Sequence, residues 1–145
     1  MAEVIRDFAL AVPRDEVSAS LFHAARLGTF FHTVERTEGE ANEAKWHLKT
    51  AFRATLGAPY LSCRVTERAG DRCSWEAEST HLHWRGEFVL VEVAPGQTQV
   101  HLALRIEDTG PLAAVHNAMI GVQIHNVAKL FEAKVREVLE AKRDA

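Results

Sequence analysis

The stretch PLAAVHNAMIGVQIHNVAKLFEAKVREVLEAK, residues 111–142, is the longest segment of this chain with a helical pattern of apolar residues. Pro111 suits the first turn of a helix, and within the segment only Gly121 interrupts the pattern. The pattern therefore predicts one long amphipathic helix. At 100° per residue its apolar side chains form one broad stripe, which contains Leu112, Met119, Ile120, Val127, Leu130, Phe131 and Val138.

Two polar residues, His116 and Gln123, fall in the middle of this stripe. A polar side chain that is buried without a partner costs about 1–3 kcal/mol. A facing strand, a water molecule or a ligand could each supply that partner. We interpret the two residues as a sign that the helix covers a cavity. Hydrogen bonds to the sheet in a closed core, or exposure to water at the edge of the stripe, would explain them equally well.

Upstream of the helix, residues 32–108 repeatedly alternate between apolar and polar side chains, which is typical of half-buried strands. Residues 4–12 show the same period, with Arg6 at one inward position. EVSASLFHAARL, residues 16–27, predicts short helices after this first strand. KWHLKTAFRATL, residues 45–56, predicts one unbroken strand.

Turn residues separate the strands at RTEGE, LGAP, RAGDR and APGQ, and such short connections predict antiparallel pairing. A sheet needs its apolar face covered, and the final helix is the only large element available. The predicted fold is therefore α+β, with one domain over residues 1–145. In it a curved antiparallel sheet of about seven strands wraps around the helix at 111–142, and two short helices follow the first strand.

Charge and composition exclude several classes of protein. The formal net charge is −3 and the pI about 6.2, so no basic field favours nucleic acid. The first residues, MAEVIRDFAL, carry charges where a signal peptide needs an apolar core. Residues 109–128 lack Asp, Glu, Lys and Arg but hold too many polar side chains for a membrane span. We expect a soluble cytoplasmic protein without stable membrane insertion; a homodimer through an edge strand stays open.

The cysteines and one pair of histidines are the residues that suggest covalent or metal chemistry. Cys63 and Cys73 lie on neighbouring predicted strands, with Cys73 opposite about Arg68. A disulfide needs Cα atoms within about 7 Å, so this register predicts two free buried thiols. His81 and His83 share one side of a strand, but no third ligand has suitable spacing. We predict a solvated strand face or a strand end, and no metal site.

The order of these elements, together with several stretches, resembles the START-like superfamily, also called the SRPBCC or helix-grip proteins. The resemblance covers nearly the whole chain. It is most similar to the group that contains the G-type subunit of carbon monoxide dehydrogenase and polyketide-cyclase-like proteins. The matching features are an opening strand followed by VPRDEV, a strand ending at Gly57, CSWEAESTHLHWRGEFVLVEV, GQTQVHLALRIE and the long final helix.

This resemblance implies an elongated apolar cavity between the sheet and the final helix. In such a pocket large apolar side chains supply affinity and a few polar groups fix the orientation of the ligand. The three tryptophans are explained equally well as ordinary core residues. The candidate ligand-binding residues are Trp46, Leu48, Phe52, Cys63, Trp75, Trp84, Phe88, His116, Met119, Ile120 and Gln123.

We predict a non-enzymatic binding or carrier module for a hydrophobic small molecule, lipid-like or polyketide-like, without a cofactor. One alternative that the resemblance implies is a polyketide cyclase or dehydratase with His116 as its acid–base group. The sequence offers no evident inward carboxylate beside that histidine. Another alternative is an accessory factor of a redox enzyme, as the likeness to the carbon monoxide dehydrogenase component implies.

Overall fold

Alternating apolar side chains place seven strands in one antiparallel sheet, in the order β1-β7-β6-β5-β4-β3-β2. The computed structural model describes the backbone of residues 2–144 and the side chains of these residues except 55 and 142–144. The predicted α+β class, the seven strands and the two short helices after the first strand are confirmed. The strands are β1 (Ala2–Leu10), β2 (Val34–Gly39), β3 (Glu43–Leu48), β4 (Tyr60–Ala69), β5 (Arg72–Glu78), β6 (Leu82–Ala94) and β7 (Gln97–Asp108), and the helices are α1 (Arg14–Leu21), α2 (Ala24–Gly28), α3 (Thr50–Leu56) and α4 (Ala113–Asp144).

Aromatic side chains fill the space between the concave face of the sheet and α4. Phe31 follows α2 and lies at the centre of this cluster. Its ring centroid is 4.7 Å from that of Phe131 on α4, 5.3 Å from Trp84 and 5.4 Å from Trp46. Aromatic pairs at such distances add stabilisation beyond the area that they bury. This cluster, together with Trp75 and Phe88, packs Phe131 of α4 against the aromatic side chains of the concave face.

The second half of α4 packs on the sheet, whereas much of its first half is exposed. On one flank of the second half, charged side chains reach the edge strand β1. Glu132 accepts a hydrogen bond of 2.7 Å from Arg6, and Arg136 donates one of 2.8 Å to the carbonyl of Ala9. The ion pair with Glu132 thus explains the inward position of Arg6. The hydrogen bond from Arg136 covers the carbonyl of Ala9 on the edge strand β1. None of the described helices combines the length and apolar character needed to cross a bilayer.

The prediction of one unbroken strand over residues 45–56 is wrong. β3 ends at Leu48, and α3 occupies Thr50–Leu56. Gly57 ends this helix in the left-handed conformation, with φ of 70°, and its N–H bonds to the carbonyl of Arg53. Apolar residues at every second position fitted a strand, but a segment this short is ambiguous between strand and helix.

The outer face of the sheet carries charged side chains in register across neighbouring strands. One row crosses six strands, and within it Arg105 lies 2.7 Å from Glu3 and Arg64 lies 3.3 Å from Glu76. Four of the five neighbouring pairs in the row have opposite charges, which stabilise a sheet in direct register, whereas Arg85 lies opposite Arg105. A charged face stays in contact with water. In order across the sheet the row is Glu3, Arg105, Arg85, Glu76, Arg64 and Glu43.

The predicted register of the cysteines is confirmed. Cys73 lies opposite Arg68 and Cys63 opposite Ala77, and both thiols are free and buried. Burial raises the pKa of Cys63 to about 12 and that of Cys73 to about 11, so both thiols stay protonated at neutral pH.

Arg68 joins three parts of the fold through its guanidinium group. It donates hydrogen bonds of 2.8 and 3.0 Å to the carbonyl of Phe22, between α1 and α2. It also donates to the carbonyl of Ala41, at 3.0 Å, and to Oδ1 of Asn42, at 2.8 Å, in the turn between β2 and β3. A planar group with five donors is needed for this set of contacts.

Arg68→Lys keeps the charge but cannot reach all of these acceptors. We expect it to lower the free energy of unfolding by about 1–3 kcal/mol, because carbonyl groups lose their donors. Urea denaturation measures the change. Arg85→Lys, on the exposed outer face, is the matched control and should change stability by less than about 0.5 kcal/mol. Equal effects of the two substitutions would show that the Arg68 contacts do not hold the fold together.

Two glycines should respond in opposite directions to replacement by alanine. Gly86 lies directly opposite Trp75, and a Cβ atom there would overlap the indole ring. We expect Gly86→Ala to cost about 1–3 kcal/mol through overpacking. Outside the nearby backbone of its own helix, a Cβ atom at Gly121 on α4 would meet none of the described atoms within 4 Å, so Gly121→Ala should stabilise the protein by about 0.5–1 kcal/mol through helix propensity. Thermal denaturation tests both substitutions. If Gly86→Ala left the stability unchanged, the Trp75 indole would not pack directly over Gly86 on β6.

Candidate functional site

The junction between β7 and α4 holds a buried carboxylate bonded to a histidine. Asp108, the last residue of β7, is only 7% exposed, and its Oδ2 lies 2.7 Å from Nδ1 of His116. Its other oxygen accepts a 2.7 Å hydrogen bond from the N–H of Gly110. Both carboxylate oxygens therefore have partners, as a buried charge requires.

Asn117, the next residue on α4, fixes the backbone of the same aspartate. Its amide oxygen accepts from the N–H of Asp108 at 2.8 Å, and its amide nitrogen donates to the carbonyl of Asp108 at 2.9 Å. Neighbouring helix residues thus hold both the side chain and the main chain of the last strand residue. The start of α4 is tied to the end of β7 at one point.

Electrostatics keep the carboxylate ionised. Burial raises the pKa of Asp108, but the Gly110 N–H and the His116 side chain outweigh burial, and the pKa lies below its ordinary value. A carboxylate at Nδ1 places the imidazole proton on that nitrogen when the ring is neutral. Nε2 is then the free acceptor. The His116 side chain is 27% exposed, and within the described residues Nε2 has no hydrogen-bond partner.

The predicted histidine pair lies beside this junction, with His81 directly before β6 and His83 within it. The carbonyl of His81 accepts a 2.8 Å hydrogen bond from the Thr109 N–H, and Nε2 of His83 lies 3.3 Å from the Thr109 hydroxyl. Over the described part of the chain, no group of three or more His, Cys, Asp or Glu side chains could hold a metal ion. The contacts of these two histidines with Thr109 join the start of β6 to the turn before α4.

Most of the candidate residues on the sheet belong to the closed core. Six of them are buried with almost no exposed surface, which fits the interpretation of the tryptophans as core. Phe52 lies instead on α3, half buried, with its ring edge-on to His32 at 5.4 Å. The six buried residues are Trp46, Leu48, Cys63, Trp75, Trp84 and Phe88.

The four candidates on α4 lie elsewhere. His116 and Ile120 are half buried, whereas Met119 and Gln123 are exposed. The expectation that Met119 and Gln123 face inward is wrong. The predicted stripe was off-centre because it counted apolar side chains of the first half of α4 that are in fact exposed. The residues that α4 buries are Ile124, Ala128, Phe131, Val135 and Leu139.

Exposed apolar side chains continue along the same side of α4. Leu130 and Glu132 are two residues apart, about 200° around the helix, and Glu132 faces β1. The exposed side therefore lies on the flank away from β1, along the border of the concave face. We call this surface the open flank; it consists of Leu112, His116, Met119, Ile120, Gln123 and Leu130.

Asp108 is a functional candidate that sequence reasoning missed. The alternation that places Leu102, Leu104 and Ile106 on the inner face continues to position 108. The signal for an inward carboxylate near His116 is therefore present in the sequence. It is easily overlooked because the residue falls at the strand end, next to a turn.

Other depressions are less suited to an apolar ligand. The groove on the outer face has a volume of about 670 Å³, and its lining is rich in charged side chains, among them Glu38, Glu43, Lys45, Arg64 and Glu76.

On the concave side, the indole N–H groups of Trp75 and Trp84 are buried without an acceptor among the described residues. Buried donors normally have partners, so the concave side is where an additional acceptor is needed.

Comparisons with known proteins identify the fold. A START superfamily protein from Mycobacterium smegmatis is 10% identical, with a TM-score of 0.75 over 97% of this chain and 99% of that one. The Zhui aromatase/cyclase from Streptomyces sp. R1128 is 16% identical, with a TM-score of 0.70 over 95% of this chain and 93% of that one. The di-domain aromatase/cyclase BexL is 16% identical, with a TM-score of 0.67, and the match covers 97% of this chain but 47% of BexL.

No family model and no curated protein matches the sequence. At these identities the structural likeness establishes the fold. The particular likeness to the carbon monoxide dehydrogenase component stays a prediction. The chain has the helix-grip fold that START superfamily proteins and aromatase/cyclases share.

Proposed function

We propose that this chain binds a hydrophobic small molecule, lipid-like or polyketide-like, on the open flank of α4. The observation that carries the proposal is the position of His116, held by buried Asp108 beside apolar side chains that are exposed to solvent. Contiguous exposed apolar side chains are typical of binding surfaces. A polar group fixed among them can orient a ligand.

The spacing of the polar groups defines the ligand further. His116 and Gln123 lie seven residues apart on the same flank, which corresponds to roughly 10 Å along the helix. The imidazole Nε2 accepts a hydrogen bond, and the Gln123 amide can donate or accept one. An elongated apolar molecule with a hydroxyl or carboxyl group near one end and a second oxygen near the other matches this pattern.

Neighbouring folds favour the same class of ligand. The names of two similar structures describe aromatase/cyclases, and we extend to this chain only the class of hydrophobic, oxygen-bearing molecules. A carrier needs no more than the contacts on the open flank.

Binding can be measured with an environment-sensitive fluorescent dye that has a hydroxyl head group, which can donate a hydrogen bond to Nε2 of His116. We expect His116→Phe and Gln123→Ala each to weaken dye binding by about two- to tenfold, because each removes one hydrogen-bonding group. Val93→Ser, at an exposed apolar residue of the β6–β7 hairpin, is the control and should leave the affinity unchanged. Unaltered affinity in both α4 variants would contradict a site on this flank.

A second candidate function, acid–base catalysis, is favoured by the geometry of Asp108 and His116. An imidazole whose Nδ1 is bonded to a carboxylate can remove a proton through Nε2, and the carboxylate stabilises the resulting imidazolium. The substrate would be a hydrophobic carbonyl compound with an acidic C–H, as in a polyketide-like chain. His116 would take the proton and return it to the product.

Proton exchange separates the two candidates. In deuterated water, we expect a catalytic protein to accelerate exchange of the α-hydrogens of an aryl β-diketone, followed by NMR. Asp108→Asn keeps the shape of the side chain but removes its charge, and it should lower that acceleration by about 10²–10⁴-fold. No acceleration by the unmodified protein would exclude the catalytic candidate and leave the carrier function.

The same variant tests the charge of Asp108 through stability. Because the pKa of Asp108 is depressed in the folded protein, its contribution is present above the unfolded value of about 3.9 and is lost as the pH falls through the lower folded value. The stability gap between the unmodified protein and Asp108→Asn should therefore be wide at pH 7 and close in strong acid. A gap independent of pH would contradict an ionised, bonded carboxylate.

A further inference from the structure

The side of α4 that points directly away from the sheet is also apolar. Val122 is 82% exposed and Val115 is 59% exposed. Val122 lies two residues from the buried Ile124, about 200° around the helix, so it faces solvent squarely. With Met119, and with Leu112 in the turn directly before the helix, these residues follow one another at intervals of three, four and three, the spacing of a helix–helix seam.

We infer that a second copy of this chain docks on this outward face, with the two α4 helices antiparallel. Residues 109–128 contain no Asp, Glu, Lys or Arg, whereas each copy carries a net charge of −3 and the outer sheet face bears rows of charged residues. In a twofold interface each surface meets itself. A charge-free surface is where two identical chains approach without placing like charges together.

The direction of the helices follows from where the charges begin. The midpoint of residues 109–128 falls between Ala118 and Met119, and it is also the midpoint of Val115 and Val122. An antiparallel pair centred there places Val115 against Val122 of the second copy and keeps charged residues outside the contact. A parallel pair would continue the seam to Lys129 and place it against Lys129 of the second copy.

The size of the seam sets the expected affinity. A stable interface buries about 800 Å² on each partner, more than two or three turns of helix supply. The dimer should therefore form and dissociate with protein concentration in about the micromolar range, and a single dilute measurement would miss it. The outward face and the open flank share Leu112 and Met119, so a ligand and a second copy would compete for these two side chains, and the dimer is tested on ligand-free protein.

The test is sedimentation velocity over a concentration series from nanomolar to submillimolar. We expect the unmodified protein to shift from monomer to dimer, and Val122→Glu to remain a monomer throughout. Val93→Glu places the same charge on another exposed valine and should dimerise normally. A monomer at every concentration would overturn the proposal and leave the face to a different partner. If Val122→Glu dimerised as well as the unmodified protein, the proposal would also be overturned.

Cysteine crosslinking tests the direction independently. Both native thiols are buried, so new surface cysteines react alone. In the antiparallel pair, a mixture of Val115→Cys and Val122→Cys chains should form a mixed disulfide dimer under mild oxidation, and each variant alone should crosslink poorly. Efficient self-crosslinking of Val122→Cys alone would overturn the antiparallel arrangement.

Discussion

The stacking of Phe131 on Phe31 fixes where α4 lies on the sheet, and the rest of the structure depends on it. The two ring centroids are 4.7 Å apart, and Phe31 also contacts three tryptophans of the concave face. Because this cluster fills the interior around the second half of the helix, ligand contacts there would require displaced aromatic rings. The accessible functional surface is consequently moved to the first half of α4.

The first half of the helix is held by polar contacts in place of apolar packing. Asp108 bonds to His116 through its carboxylate and to Asn117 through its main chain. The helix is therefore anchored at its beginning and along its second half, and the turns between these anchors are largely exposed. A segment fixed at both ends can present apolar side chains to solvent without unwinding, which is a suitable arrangement for binding.

The sequence correctly predicted those elements that have a clear apolar pattern, which is alternation for the strands and helical spacing for the final helix. The strand meander, the position of Cys73 opposite Arg68 and the long final helix follow from such patterns. The prediction failed at α3, where Thr50, Phe52, Ala54 and Leu56 alternate like a strand but form a helix ending at Gly57. It also misplaced the buried stripe of α4, because Met119 and Leu130 are apolar like core residues but lie exposed to solvent. Hydropathy alone cannot separate apolar residues that pack from those that bind.

The exposed apolar side chains of α4 are costly in an isolated monomer, since water contact with such surface is unfavourable by roughly 25 cal/mol per Å². Along residues 109–128 this cost is combined with a complete lack of Asp, Glu, Lys and Arg, although the chain as a whole is 26% charged. A helix exposed only to water would favour charged residues there for solubility. His116 and Gln123 occupy the flank that borders the sheet, and Val115 and Val122 the side that faces away. The two halves of this surface therefore have different chemistry, with hydrogen-bonding groups where a small molecule would be oriented and a purely apolar seam where another helix would pack.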